Sequence, residues 1–271
     1  MAALNFPDTS ATEVRAELQG LAAIPAPNAW FGQPKTVSAL IDVVQQRWGS
    51  VVDTSQVGVV GQSLGGYTVL ALGGARLDWP QLEQACRALA DPNQVVLNPA
   101  VLWQCQAPNQ VVTSADMTDR RVRAVVALNP VTSPIFSAAS LAEVRVPVLM
   151  LAGSNDIFAP PISQQLRPFT ALRQPGRVLG LLDHGTHVSF LDGTASLPRF
   201  VLGPDPALAR QELRGLGLAF FNSHLRGGAA MRQLLPASGG VVVGRSPLPL
   251  LLRRQLDDQN LDQVAPGSNA L

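Results

Sequence analysis

The stretch Val57-Gly58-Val59-Val60-Gly61-Gln62-Ser63-Leu64-Gly65-Gly66 constrains the fold more than any other part of the chain. Its first four residues are a short continuous apolar run of the kind that sits in the centre of a parallel sheet. The small and apolar residues from Leu64 to about Leu72 read as a helix, so a strand must turn into a helix within a few residues. Three later runs, Val122 to Leu128, Val146 to Ala152 and Val178 to Leu182, have the same character. The sequence between them has lengths suited to crossovers. Strands alternating with helices predict an α/β fold with a mostly parallel sheet and helices on both faces.

The remaining chain is read around that frame as a single domain over residues 1–271. Ser10 and Glu13 have capping-box spacing before Val14, Leu18 and Leu21, which predicts a helix over 11–22. IPAPNAW at 24–30 breaks it, and a second helix is expected from about Pro34 to Trp48, stopped at Gly49. Residues 76–120, with Trp79, Cys86, Trp103 and Cys105, interrupt the alternation and read as short helices forming a lid. A long helix is expected over 206–225, a last helix from Pro247, and a flexible tail over 259–271.

Composition narrows the function classes. Hydrophobic residues are 46% and charged residues 14% of the 271, so charge-driven disorder is excluded. Of the 20 basic residues 19 are Arg and one is Lys35; they are scattered and the net charge is +1, so no nucleic-acid or anionic-membrane footprint is indicated. No apolar run of about 18 residues predicts a transmembrane helix. The first twenty residues lack a basic segment followed by an apolar core, so no signal peptide is read and the cytoplasm is the default compartment. Cys86 and Cys105, 19 residues apart without nearby His, match no metal-site spacing and stand as buried thiols or one bridge. Neither a metal nor a cofactor is expected.

The chemistry concentrates on Ser63. A serine at a strand-to-helix turn, with Gly61 and Gly65 two residues to either side, has the layout of a nucleophile elbow, in which strand and helix backbones approach too closely for side chains. The Leu64 N–H, at the positive end of the helix dipole, would be an oxyanion donor. Serine is inert near neutral pH unless a base takes its proton and an acid orients that base. Asp156, just after the run Val146 to Ala152, would emerge at the same sheet edge as Ser63. Only three histidines exist. His224 falls inside the helix 206–225, whereas His184 and His187 share the loop HGTHVSF. His187 is favoured as the base because it sits deeper in that loop. Trp30, Phe31, Tyr67, Trp79 and Trp103 are candidates to line an acyl pocket, or to be core.

VGVVGQSLGGYT, AGSNDIFAP and HGTHVSF together resemble the serine α/β hydrolases known as predicted dienelactone hydrolases of cyanobacteria, related to platelet-activating-factor acetylhydrolases and bacterial polyester hydrolases. The resemblance spans most of residues 10–255. It implies the α/β-hydrolase fold, ester hydrolysis through an acyl-enzyme, Ser63 as nucleophile, Asp156 as orienting acid and His187 as base, with a small-molecule ester as partner. Ser63 stands where true dienelactone hydrolases have Cys, which favours ordinary ester hydrolysis. A catalytically impaired hydrolase-like protein, and a peptidase or thioesterase on the same fold, remain the alternatives. Such hydrolases carry several strands before the elbow, one of which supplies a second oxyanion N–H. The 62 residues before Ser63 read as two helices, so the expectation is either that the chain is an N-terminally shortened version of its family or that Pro25 to Gly32 supplies a substitute for the missing loop. Relatives with an export signal would leave the compartment open and could bridge the two cysteines. A missing strand would also make Val57 to Val60 a sheet edge prone to self-association.

Overall fold

The four apolar runs form four parallel strands, β1 (Val57–Gln62), β2 (Val122–Leu128), β3 (Val148–Gly153) and β4 (Val178–Leu182). They lie side by side in chain order, with Val60 opposite Val126, Val126 opposite Leu149 and Leu149 opposite Val178. The computed structural model describes residues 1–4, 6, 29–89, 98–105, 116–192, 197–235 and 239–264. The helix expected over 11–22 lies outside the described residues.

Side chains alternate across the sheet with the period of two that a strand imposes. Val125 and Ala127 of β2 enter one core with Trp30, Tyr67, Leu70 and Phe169, whereas Ala124, Val126 and Leu128 enter another with Leu208, Leu216 and Phe220. Both faces are therefore covered, and every residue of β3 and β4 is buried. That double burial is why these strands read as unbroken apolar runs.

The helices are α1 (Ala29–Trp48), α2 (Leu64–Leu72), α3 (Trp79–Leu89), α4 (Pro99–Gln104), α5 (Ala138–Ala142), α6 (Arg167–Ala171), α7 (Arg199–Leu202), α8 (Pro206–Leu225), α9 (Ala230–Leu234) and α10 (Leu261–Val264). A π-helical turn at Ile162–Leu166 precedes α6. Among the described residues, none is long and apolar enough to cross a membrane. α1 starts before the expected Pro34, which lies inside it. Proline has no N–H for the carbonyl four residues back, Trp30, and the Tyr67 hydroxyl donates to that carbonyl instead at 2.7 Å.

One expectation fails at the C-terminal end. The segment from Pro247, expected as a helix, is strand β6 (Leu250–Arg253), pairing antiparallel with β4 and with β5 (Gly240–Val243), so the sheet order is β1-β2-β3-β4-β6-β5. Prolines at 247 and 249 oppose a helix there, and burial alternates along Leu250–Arg253 as in a strand. The sheet is therefore mixed. The tail expected as flexible over 259–271 carries the short helix α10 in its described part, with Leu261 buried in the core.

At the other end of the sheet, among the described residues, β1 pairs with β2 alone. Val57 N–H and Ser63 N–H both donate toward β2, so the intervening Gly58, Val60 and Gln62 direct their peptide groups off the edge. Val60 is exposed.

Within the insertion, Cys86 and Cys105 form a disulfide between α3 and the end of α4, with Cα atoms 5.4 Å apart. The insertion is held to the core by the buried Gln104, which donates to Ser133 O at 2.8 Å and accepts from Ile135 N at 3.0 Å. Asn98 adds a bond to Ser163 Oγ at 3.1 Å.

Candidate active site

Three strand ends converge at the carboxyl edge of the sheet. At the end of β1 the chain reverses through Ser63, at φ 56° and ψ −116°, before entering α2. A non-glycine residue in this region is strained, by about 1–3 kcal/mol, and the surroundings hold it there. The Ser63 N–H donates to Leu128 O at 2.9 Å, and its carbonyl accepts from Tyr67 N at 3.1 Å and Val131 N at 3.2 Å.

The two flanking glycines do different things. A Cβ on Gly61 would collide with the Gly65 carbonyl, so Gly61 is required by the close approach. A Cβ on Gly65 would meet nothing within 4 Å; the second close contact belongs instead to Gly66, whose Cβ would lie 2.7 Å from Pro130. The expected clearance role of Gly65 is thus corrected: the helix approaches the strand through the Gly65 backbone and β2's continuation through Gly66.

Asp156 follows β3 by three residues and its side chain is wholly shielded from solvent. Its Oδ1 accepts from Phe158 N at 2.9 Å and Ala159 N at 2.8 Å, capping the turn, and its Oδ2 lies 2.7 Å from His187 Nδ1. One carboxylate therefore serves both the turn and the imidazole. His187 Nε2 lies 2.9 Å from Ser63 Oγ. An ionised carboxylate only accepts, so the Nδ1 proton belongs on the Asp156 side and the Nε2 lone pair faces the serine. The Phe158 ring leans over the imidazole, centroids 5.6 Å apart.

The structure brings Ser63, His187 and Asp156 together and leaves the other two histidines elsewhere. His184 points into solvent, 3.7 Å from Asp183 and 60% exposed. His224 lies on α8 against Phe220, and burial lowers its pKa. The Leu64 N–H is the first of α2 and has no carbonyl four residues back within the helix, which leaves it free to meet an anion beside Ser63.

The aromatic residues considered for a pocket are largely core. Tyr67 is fully buried, stacked on Phe136 and edge-on to Trp30, and burial pushes its pKa well up. Trp30 is buried with it, Trp103 packs 5.3 Å from Trp30, and Trp79 is half-buried. The Phe31 side chain is outside the described residues. Among the described residues no three His, Cys, Asp or Glu side chains cluster as metal ligands.

Two residues at this edge were not singled out from sequence. Asn129, directly after β2, donates through Nδ2 to Thr186 O and His187 O, both at 3.0 Å, and accepts at Oδ1 from Gly153 N at 2.8 Å. Gln62 donates to His187 O at 2.8 Å. A polar residue directly after the apolar run Ala124 to Leu128, followed by Pro130, was the available signal for Asn129.

In comparisons with known proteins, the chain matches no family model and no curated sequence.

Proposed function

We propose that this chain is a serine hydrolase of the α/β-hydrolase type, cleaving carboxylic esters through an acyl-enzyme. The observation that carries the reading is the continuous chain from Ser63 Oγ through His187 to the buried Asp156 carboxylate, at 2.9 and 2.7 Å, with the serine on a strained strand-to-helix turn. In this reading Ser63 Oγ bonds to the ester carbonyl carbon as its proton passes to His187 Nε2. The Leu64 N–H meets the oxyanion. Collapse breaks the bond to the alkoxide, which leaves with the proton from Nε2. Water, deprotonated by the same nitrogen, then releases the acid and restores Ser63. Asp156 holds the imidazole tautomer and stabilises its cation.

The mixed sheet with helices on both faces and the chain order Ser, Asp, His agree with the resemblance to dienelactone-hydrolase-like esterases. The alternative is a slower variant of the same chemistry. Among the described residues β1 has a neighbouring strand on one side only, so the Leu64 N–H is the one oxyanion donor named in this reading. A site working with one donor fewer loses about 10²–10³ in turnover.

The test is labelling with a fluorophosphonate followed by peptide mapping, alongside hydrolysis of short p-nitrophenyl, thioester and peptide substrates. Stoichiometric label on Ser63 with ester turnover is expected. Label without turnover would favour the impaired form, and a label elsewhere or none would overturn the assignment.

A further inference from the structure

The Asn129 side chain makes three hydrogen bonds near Ser63, as many as the Asp156 carboxylate, yet the reaction itself gives it nothing to do. It is wholly buried and sits at φ 41°, a left-handed conformation that Asn tolerates better than most residues yet that still costs energy. Its N–H donates to Leu151 O at 2.7 Å. Its side-chain amide joins the last residue of β3, Gly153, to the two carbonyls of Thr186 and His187 in the loop after β4. Gly153 is three residues before Asp156, so one planar amide couples the segment bearing the acid to the segment bearing the imidazole. The His187 carbonyl receives a second donor from Gln62, the residue before Ser63. Both lone pairs of that carbonyl are thus used, by the residue that follows β2 and by the last residue of β1.

The residue type follows from these partners. Two donors and one acceptor in a single short planar group are available only from an amide, and Gln would carry it one carbon too far. Asp would turn both donors into lone pairs facing carbonyl oxygens. Asn is also uncharged, so it braces the loop without adding a charge beside the imidazole. Among the described residues the three non-glycine residues with positive φ, Ser63, Asn129 and His184, all lie just beyond the carboxyl ends of β1, β2 and β4. Strain here is confined to the edge where the three segments must meet.

We propose that Asn129, with Gln62, is a positioning residue that holds the His187 peptide, and through it the imidazole, in line between Asp156 Oδ2 and Ser63 Oγ. The inference rests on the hydrolase reading for its kinetic consequence but not for its structural one. The full chain is compared with Asn129→Asp and with Gln62→Ala by two readouts. The first is the downfield proton resonance of the short His187 Nδ1–H···Asp156 bond, which needs no turnover. The second is steady-state ester hydrolysis as a function of pH. Asn129→Asp is expected to lose or broaden the resonance and to lower kcat about 10²-fold with KM little changed, since a displacement of about 1 Å can cost that much. Gln62→Ala, which removes one of two donors to the carbonyl, is expected to keep its fold and lower kcat about tenfold, the size of one hydrogen bond. A resonance and a pH profile unchanged in both variants would overturn the proposal, whatever their Tm. If Asn129→Asp does not fold, Gln62→Ala decides alone. If the wild type shows the resonance but neither labels nor turns over esters, the hydrolase reading falls while the resonance still tests the brace.

Discussion

The two residues that flank β2 do opposite work. Arg121, before it, is a charged side chain one quarter exposed; it reaches Asp119 at 2.7 Å, Asp42 of α1 at 2.5 Å and the Ser38 carbonyl at 3.2 Å. Asn129, after it, is neutral, wholly buried and at positive φ, and it bonds only to loops and strand ends of the carboxyl edge. The amino edge at Arg121 is tied by ion pairs, whereas at the carboxyl edge the backbone of the His187 loop is tied by the uncharged amides of Asn129 and Gln62 beside a strained serine. A polar group at the amino edge can stabilise without being placed to within tenths of an ångström. At the carboxyl edge placement is the purpose, and strain is tolerated to achieve it. Substitutions at the carboxyl edge should therefore change chemistry out of proportion to stability, and those at the amino edge the reverse.

The sharpest break should come at Ser63 and His187. Either Ser63→Ala or His187→Ala is expected to abolish ester turnover with little change in Tm, and Ser63→Ala to abolish fluorophosphonate labelling, while His184→Ala, on a ring in solvent, keeps most activity. A dead His184→Ala with an active His187→Ala would reassign the base. Next in size is Asp156→Asn, expected to lower kcat by about 10⁴ because the amide favours the wrong imidazole tautomer. Its neutral Oδ1 still caps the turn, so far-UV circular dichroism should be retained. Asp183→Asn, the control directly after β4, should fall within a factor of a few of wild type.

Gly61→Ala is the exception that sharpens the contrast, because here the carboxyl edge is a matter of stability. Its Cβ would collide with backbone, so a loss of more than about 3 kcal/mol or failure to fold is expected on denaturant titration. Gly65→Ala, with open space around its Cβ, should be neutral or slightly stabilising, as alanine usually is in a helix. Equal losses in the two would contradict the assignment of the close approach to Gly61.

The carboxyl edge was legible in sequence where its residues serve strand or turn. Ser63, Asp156 and His187 each follow an apolar run, and a buried parallel strand writes such runs plainly because both its faces are covered. Leu64 to Leu72 and Val122 to Leu128 match their expected bounds for the same reason. Asn129 was not legible. Its partners are backbone carbonyls 57 and 58 residues away, and backbone groups leave no mark on the sequence that supplies them. The antiparallel β5 and β6 were missed because four-residue strands are too short to declare a period, and Leu250-Leu251-Leu252 between Pro249 and Arg253 is apolar at every position although only alternate residues are buried. The start of α1 was misread at Pro34, because the compensating donor, the Tyr67 hydroxyl, comes from a different helix.

At the amino edge the expected effects are smaller and purely of stability. Arg121→Ala removes a hydrogen-bonded, partly buried ion pair and should cost about 1–2 kcal/mol with ester turnover unchanged. The pH dependence is smaller still and its sign is fixed. Hydrogen bonds from Arg121 hold the Asp119 carboxyl below its usual range, so the unfolded chain binds this proton more readily than the folded one. The stabilisation is therefore complete above the ordinary carboxylate pKa, near 4, and is lost as pH falls through the lower folded value. His224 contributes in a separate window: burial lowers its pKa, so its cost begins as pH drops below about 6.5. Denaturant titrations between pH 7 and pH 3 should show both steps in the wild type. Asp119→Asn should flatten only the lower one, and a lower step of unchanged size in that variant would mean that other carboxylates, not the Arg121 pair, hold the amino edge against acid.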